Sequence, residues 1–242
     1  MPVRDDRWPA GTPNGVDLST PDPDAAKDFY AALLGWDYRE AGGGYWLCEY
    51  GSREAAGIMG AESPEQPSSW TVYFASEDVE STVKAVEQAG GQVLPGPAKV
   101  APWGAVAYAA DPTGARFGVW QGGVLPGVTV YNEPGSLTWE DGMVSDPDAA
   151  KSFYSSAFGF RFDPVPGDQD YCTFTTSSAG DPLGGLGSVE EASSPAGGRA
   201  SPSPTPTWPS RPRPGSGAGS WRPRSIPRTG GWPASPTRSA PG

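Results

Sequence analysis

A nine-residue stretch of this chain occurs twice with a single change. Asp22-Pro-Asp-Ala-Ala-Lys-Asp-Phe-Tyr30 returns 124 positions later as Asp146-Pro-Asp-Ala-Ala-Lys-Ser-Phe-Tyr154. At the same offset Leu34-Gly-Trp36 is answered by Phe158-Gly-Phe160, and Cys48 by Cys172. So close a match at so long an offset means tandem duplication of a folded unit. The two cysteines then lie on equivalent strands of separate units. They read as small buried hydrophobes rather than as a disulfide.

The periodicity inside one unit is legible. Asp22 before Pro23 predicts an N-cap with proline at the first helical position. Ala26, Phe29, Tyr30 and Leu33 follow at helical spacing, and Gly35 ends the helix. A short strand over 16–20 precedes this helix, and strands over 45–50 and 56–59 follow it. A weaker copy comes next: a strand over 70–75, a helix over 79–89 closed by Gly90-Gly91, and strands near 92–94, 105–109 and 117–121. The order βαβββ therefore runs twice before residue 122. Gly42-Gly43-Gly44 and Gly184-Gly185-Leu186-Gly187 lack any phosphate-loop lysine or strand–helix context and read as turns.

What the chain lacks removes several chemistries. It has no histidine, the commonest metal ligand and general base. Zinc proteases, Ser-His-Asp hydrolases and histidine-rich dioxygenase centres are excluded on that ground. Two cysteines cannot build a cysteine-rich zinc site. No apolar run approaches the roughly 18 residues that span a bilayer, and the opening Met1-Pro2-Val3-Arg4-Asp5-Asp6 has no signal-peptide core. The expectation is a cytoplasmic protein with no membrane partner.

Composition breaks near Ser193. Twenty-eight acidic and ten basic residues precede it, a net charge of −18, whereas seven arginines and no acid follow. The end of the chain is otherwise Pro, Ser, Gly, Thr, Ala and three Trp, with Ile226 its one larger aliphatic residue. Such a stretch buries too little apolar surface to offset chain entropy, so residues 191–242 are expected to be disordered. A basic tail on an acidic body suggests nucleic acid. The reading preferred here is different: residues from about 195 onward are a frameshifted remnant. Read one nucleotide earlier, codons for Trp232–Pro241 can spell a counterpart of Val106–Ala115, and those for Ser201–Trp208 a counterpart of Phe74–Glu80. No nucleic-acid partner is expected.

The Asp-x6-Phe-Tyr helix with its Leu34-Gly-Trp36 ending, and Asp111-Pro-Thr-Gly-Ala-x-Phe117 before the last strand, resemble the vicinal oxygen chelate proteins. This is the glyoxalase/bleomycin-resistance/dioxygenase superfamily, and the likeness is to its two-domain bacterial members. The resemblance implies an α+β fold of paired βαβββ modules whose curved sheets enclose a cleft. It implies a complete domain at 10–122, a linker at 123–135 and the first module of a second domain at 136–190. That second module would present an open sheet edge, and pairing with the same edge of another chain would make a homodimer.

Catalytic members of the family hold a divalent metal on the first and last strands of their modules. Transferred to this sequence, the positions are Gly15, Thr71 and Gly118, with Trp139 in the second domain. Two glycines and a neutral hydroxyl make no metal site, so no metal and no cofactor is expected. The nearest carboxylates are Asp17 and its repeat equivalent Asp141. Strand alternation turns Asp17 to the same face as Gly15, and Arg116 to that of Gly118. One reading pairs Asp17 with Arg116 in the space a metal would take; the other keeps Asp17 in a local hydrogen bond near the strand end. Most of the aromatic residues 46, 50, 70, 73, 103, 108 and 120 should be core, while Trp103, between Pro102 and Gly104, could close over a pocket. The ligand-binding candidates are Asp17, Trp46, Tyr73, Trp103 and Arg116, and no catalytic residue is named. An acidic, aromatic cleft suits a planar or cationic organic molecule. The expected function is metal-free small-molecule binding of bleomycin-resistance or glyoxalase-like type. The alternative is a metal-dependent lyase, isomerase or oxygenase of the same superfamily.

Overall fold

The computed structural model describes residues 2–189, apart from 95 and 169, together with 220–224. The first module consists of β1 (Pro13–Thr20), α1 (Pro23–Leu34), β2 (Asp37–Gly42), β3 (Tyr45–Glu49) and β4 (Glu54–Gly60). The second contains β5 (Ser69–Ala75), α2 (Val79–Gln88), β6 (Gln92–Val93), β7 (Ala98–Val100), β8 (Gly104–Ala110) and β9 (Arg116–Gly122). A third comprises β10 (Trp139–Val144), α3 (Pro147–Phe158), β11 (Arg161–Pro164), β12 (Tyr171–Thr175) and β13 (Gly184–Ser188), and β14 (Ser220–Arg224) stands last. The fold is α+β and sheet-dominated. Fourteen strands join in one sheet whose main path is β11-β12-β13-β10-β14-β9-β5-β1-β4-β3-β2, with β6, β7 and β8 continuing from β9.

The repeated helices form for the reasons their sequence states. Asp22 accepts a hydrogen bond from the Ala25 amide at 2.9 Å and Asp146 one from Ala149 at 3.0 Å. Each cap is followed by proline at the first turn. Both helices end on a left-handed glycine, Gly35 at φ 76° and Gly159 at φ 69°. The strands β2 and β7 were not anticipated. Both are short pairings with few apolar residues, and a neighbouring strand rather than their own pattern holds them.

Each module builds its sheet alike. β1 pairs parallel with β4 and antiparallel with β5. β10 pairs parallel with β13 and antiparallel with β14. The edge of β10, expected to lie open to another chain, is therefore paired, and β14 takes beside it the place that β5 takes beside β1. Ser220–Arg224, within the stretch expected to be disordered, forms this strand, since backbone groups along an open strand edge pair with a strand that reaches them. The rest of the expected tail lies outside the described residues.

Two further readings change. Gly184-Gly185-Leu186-Gly187 is a strand, not a turn. It is glycine-rich because a Cβ at Gly185 would run into the Tyr171 hydroxyl, and one at Gly184 into Phe174. The cysteines do share equivalent strands, but not equivalent positions. Cys48 faces Ala56 across the ladder, whereas Cys172 faces Leu186, the partner that matches Ile58 opposite Trp46. The third module has gained two residues between α3 and this strand, which the constant sequence offset concealed.

One core runs through all three modules. Phe74 and Phe117 of the second module pack against Tyr154, Phe158 and Phe160 of the third, with ring centroids 5.2–6.1 Å apart for most pairs. The Tyr154 hydroxyl donates to Asp111 Oδ2 at 3.1 Å, and Asp111 Oδ1 accepts from the Thr113 and Ala115 amides, so the Asp-Pro-Thr-Gly turn is also a docking point. Among the described residues, no helix is long and apolar enough to cross a membrane.

Candidate functional site

The first two modules enclose a cavity of about 400 Å³. β1 supplies Gly15 and Asp17, β3 Tyr45 and Leu47, β5 Tyr73, β8 Tyr108 and β9 Trp120. Trp103 reaches it from the turn between β7 and β8. The far wall was not anticipated: Leu125, Gly127 and Val128 belong to the stretch read as a linker. That stretch is held in place by backbone, since the Val128 amide donates to the Asn14 carbonyl at 2.8 Å and the Trp120 indole to the Leu125 carbonyl at 2.9 Å. Gly127 (φ 129°) is needed there, because a Cβ would run into Asn14.

Polar groups are few and tightly placed. The Tyr45 hydroxyl donates to Asp17 Oδ1 at 2.7 Å, and the Tyr73 and Tyr108 hydroxyls lie 3.0 Å apart. Burial pushes the Asp17 carboxyl up to about 6, against the lowering effect of hydrogen bonds from Tyr45 and Tyr73. Burial, reinforced by the charge of Asp17, holds Tyr45 and Tyr73 well above the usual phenol range. Both therefore serve as hydroxyl donors at neutral pH. Gly57 lets Asp17 and Tyr45 meet, since any side chain there would strike both. Asn14 Oδ1, buried at the cavity's edge, has no hydrogen-bond partner among the described residues.

Three of the five residues expected in the site line this cavity: Asp17, Tyr73 and Trp103. Trp46 does not. It lies on the opposite face of β3 from Tyr45 and Leu47, where Lys27 Nζ sits 3.5 Å above its ring. The cation–π contact foreseen for a ligand is made there by the protein itself. Arg116 is exposed at the start of β9, outside the lining, and makes no ion pair with Asp17 among the described residues. The hydrogen bond of Asp17 is not local either: its donor is 28 residues away on another strand. Tyr45 escaped notice because its counterpart Tyr171 stands 126 residues on, outside the constant offset of the repeat.

The positions that the family resemblance assigns to a divalent ion do not suit one here. Gly15 and Gly118 have no donor, and Thr71 offers a neutral hydroxyl. The Tyr73 ring lies across Gly118 so closely that even a Cβ would collide with it. Among the described residues, no group of three or more acidic, cysteine or histidine side chains is placed so that it could hold a metal ion.

Residues 15–120 match the family model for a glyoxalase-like domain. This segment is thus similar to glyoxalase-like domains. The chain is 38% identical over 167 residues to "Putative glyoxylase CFP32" of Mycobacterium tuberculosis, covering 66% of this chain and 64% of that one. It is 34% identical over 171 residues to the anthracycline biosynthesis protein DnrV of Streptomyces peucetius, covering 63% and 62%. The chain thus spans less than two thirds of these relatives' length. Among solved structures, the Mn(II)-bound glyoxalase from Novosphingobium aromaticivorans superposes with a TM-score of 0.57 at 19% identity, over 74% of this chain and 62% of that one. The halotolerant catechol dioxygenase BphC gives 0.54 at 17% identity, over 74% and 65%. At these identities the likeness is one of fold. The glyoxalase-like domain contains the cavity except for Asn14 at its edge and the far wall, which Leu125, Gly127 and Val128 complete.

Proposed function

We propose that the glyoxalase-like domain binds a planar organic molecule between its two sheets without using a metal. The observation that carries this reading is the replacement of donors by glycine at Gly15 and Gly118, beside a roomy aromatic cavity that keeps one carboxylate. A volume of about 400 Å³ falls in the range of small-molecule sites. Trp103, Trp120 and Tyr108 offer ring faces and edges for stacking, and the surplus of acid before Ser193 favours a neutral or cationic ligand over an anion. Two relatives carry names from anthracycline biosynthesis, in keeping with a planar aromatic ligand.

The test joins two measurements on the purified full chain. Titration with planar aromatics, such as acridine and naphthalene derivatives, is expected to change tryptophan emission with one-to-one stoichiometry. Elemental analysis is expected to find no stoichiometric Mn, Fe, Ni or Zn. Stoichiometric metal would instead favour the second reading, a metal-dependent lyase, isomerase or oxygenase, which the glyoxylase name of one relative supports.

A further inference from the structure

Gly15 and Trp139 hold the same place in two copies of one module. β1 sets Asp17 opposite Gly57 on β4, and β10 sets Asp141 opposite Gly185 on β13. Two residues earlier on each strand stand Gly15 and Trp139. Each carboxylate also receives a tyrosine hydroxyl from the strand beyond the glycine, Tyr45 on Asp17 at 2.7 Å and Tyr171 on Asp141 at 2.6 Å.

What differs is the neighbour on the carboxylate's other side. In the third module the Trp139 indole fills that space, and its Nε1 donates to Asp141 Oδ1 at 3.0 Å, 3.1 Å from the Tyr171 hydroxyl. In the first module no side chain stands at that position, although Tyr73 on the neighbouring strand also hydrogen-bonds Asp17, and Gly15, Asp17, Tyr45 and Tyr73 border the cavity. Crowding does not demand the glycine: a Cβ there would meet only Tyr73 Cβ and Cδ2, both at an ordinary 3.9 Å. The fold thus contains one plugged copy and one open copy of the same carboxylate–tyrosine arrangement.

We propose that the open copy binds an aromatic molecule whose ring N–H or phenolic O–H donates to Asp17, in the place the Trp139 indole takes against Asp141. An ionised carboxylate is acceptor-only, with lone pairs beyond those Tyr45 and Tyr73 use, and in a cavity walled by Leu47, Trp103 and Val106 a donor-bearing ring satisfies them while covering apolar surface. This rests on the reading of the cavity as a small-molecule site and adds the group by which the ligand is recognised.

Indole and indene, nearly equal in shape but for the donor, are the probes, measured by calorimetry on the full chain. Indole is expected to bind wild type about tenfold more tightly, the worth of one hydrogen bond to a charged group. Asp17→Leu is expected to erase that difference. Gly15→Trp, which rebuilds the plug, is expected to abolish binding of both while leaving the thermal midpoint at or above that of wild type. Equal affinity of the two probes for wild type overturns the donor assignment and leaves small-molecule binding standing. A folded Gly15→Trp protein that still binds indole overturns the location. Failure of both probes to bind wild type overturns this inference together with the reading beneath it. Should Gly15→Trp not fold, the ratio of the two affinities for wild type decides alone.

Discussion

Two carboxylates are held in surroundings that favour their neutral form. Burial raises Asp17 to about 6. Burial, and then the charge of Asp141, raises Glu140 to about 8. In both, the folded value lies above the unfolded one, so folding favours proton uptake. The stability each contributes is complete below the ordinary carboxylate range and is lost as pH rises, through about 6 for Asp17 and about 8 for Glu140. Glu140→Gln should therefore resist urea better than wild type at about pH 9 and match it near about pH 4, whereas Asp17→Asn should flatten the decline between about pH 4 and 6. Urea midpoints across this range check both; a Glu140→Gln protein less stable than wild type at high pH would contradict the assignment.

The two repeated helices look interchangeable in sequence and are not so in the molecule. Phe29 of α1 is 56% exposed, while its repeat equivalent Phe153 of α3 is 1% exposed. Phe153 packs on Phe117 and against Gly91, where a Cβ would strike its ring. Phe153→Ala should cost about 3–5 kcal/mol, and Phe29→Ala less than about 1 kcal/mol, when compared by equilibrium unfolding. Equal costs would mean that α1 is covered in solution. A single repeated word thus encodes a helix and its caps, but not the depth to which the helix is buried.

At the scale of the whole molecule, the third module is fastened to the glyoxalase-like domain by an aromatic core and by one buried hydrogen bond. Tyr154→Phe leaves Asp111 Oδ2 without that donor and should cost about 1–3 kcal/mol. Because the aromatic residues from Phe74 to Phe174 form one cluster, the modules should unfold together. Tryptophan emission and far-UV circular dichroism should then give superimposable urea transitions. A separate early transition would show that the third module melts by itself.

Much of the architecture was present in the sequence because it is local. Helix caps, glycine stops and apolar periodicity are settled within a few residues, and they sufficed for α1, α2 and α3 and for the longer strands. The bare positions Gly15 and Gly118 could likewise be read directly. What tertiary structure alone decided depends on register and docking between distant segments. It placed Tyr45 on Asp17, laid Tyr73 across Gly118, turned Trp46 away from the cavity and brought Leu125–Val128 in as its wall. Strand alternation says only that a side chain points to one face or the other. Which face becomes a cavity depends on how two curved sheets close upon each other, a contact between parts of the chain that carry no mark of it in their own sequence.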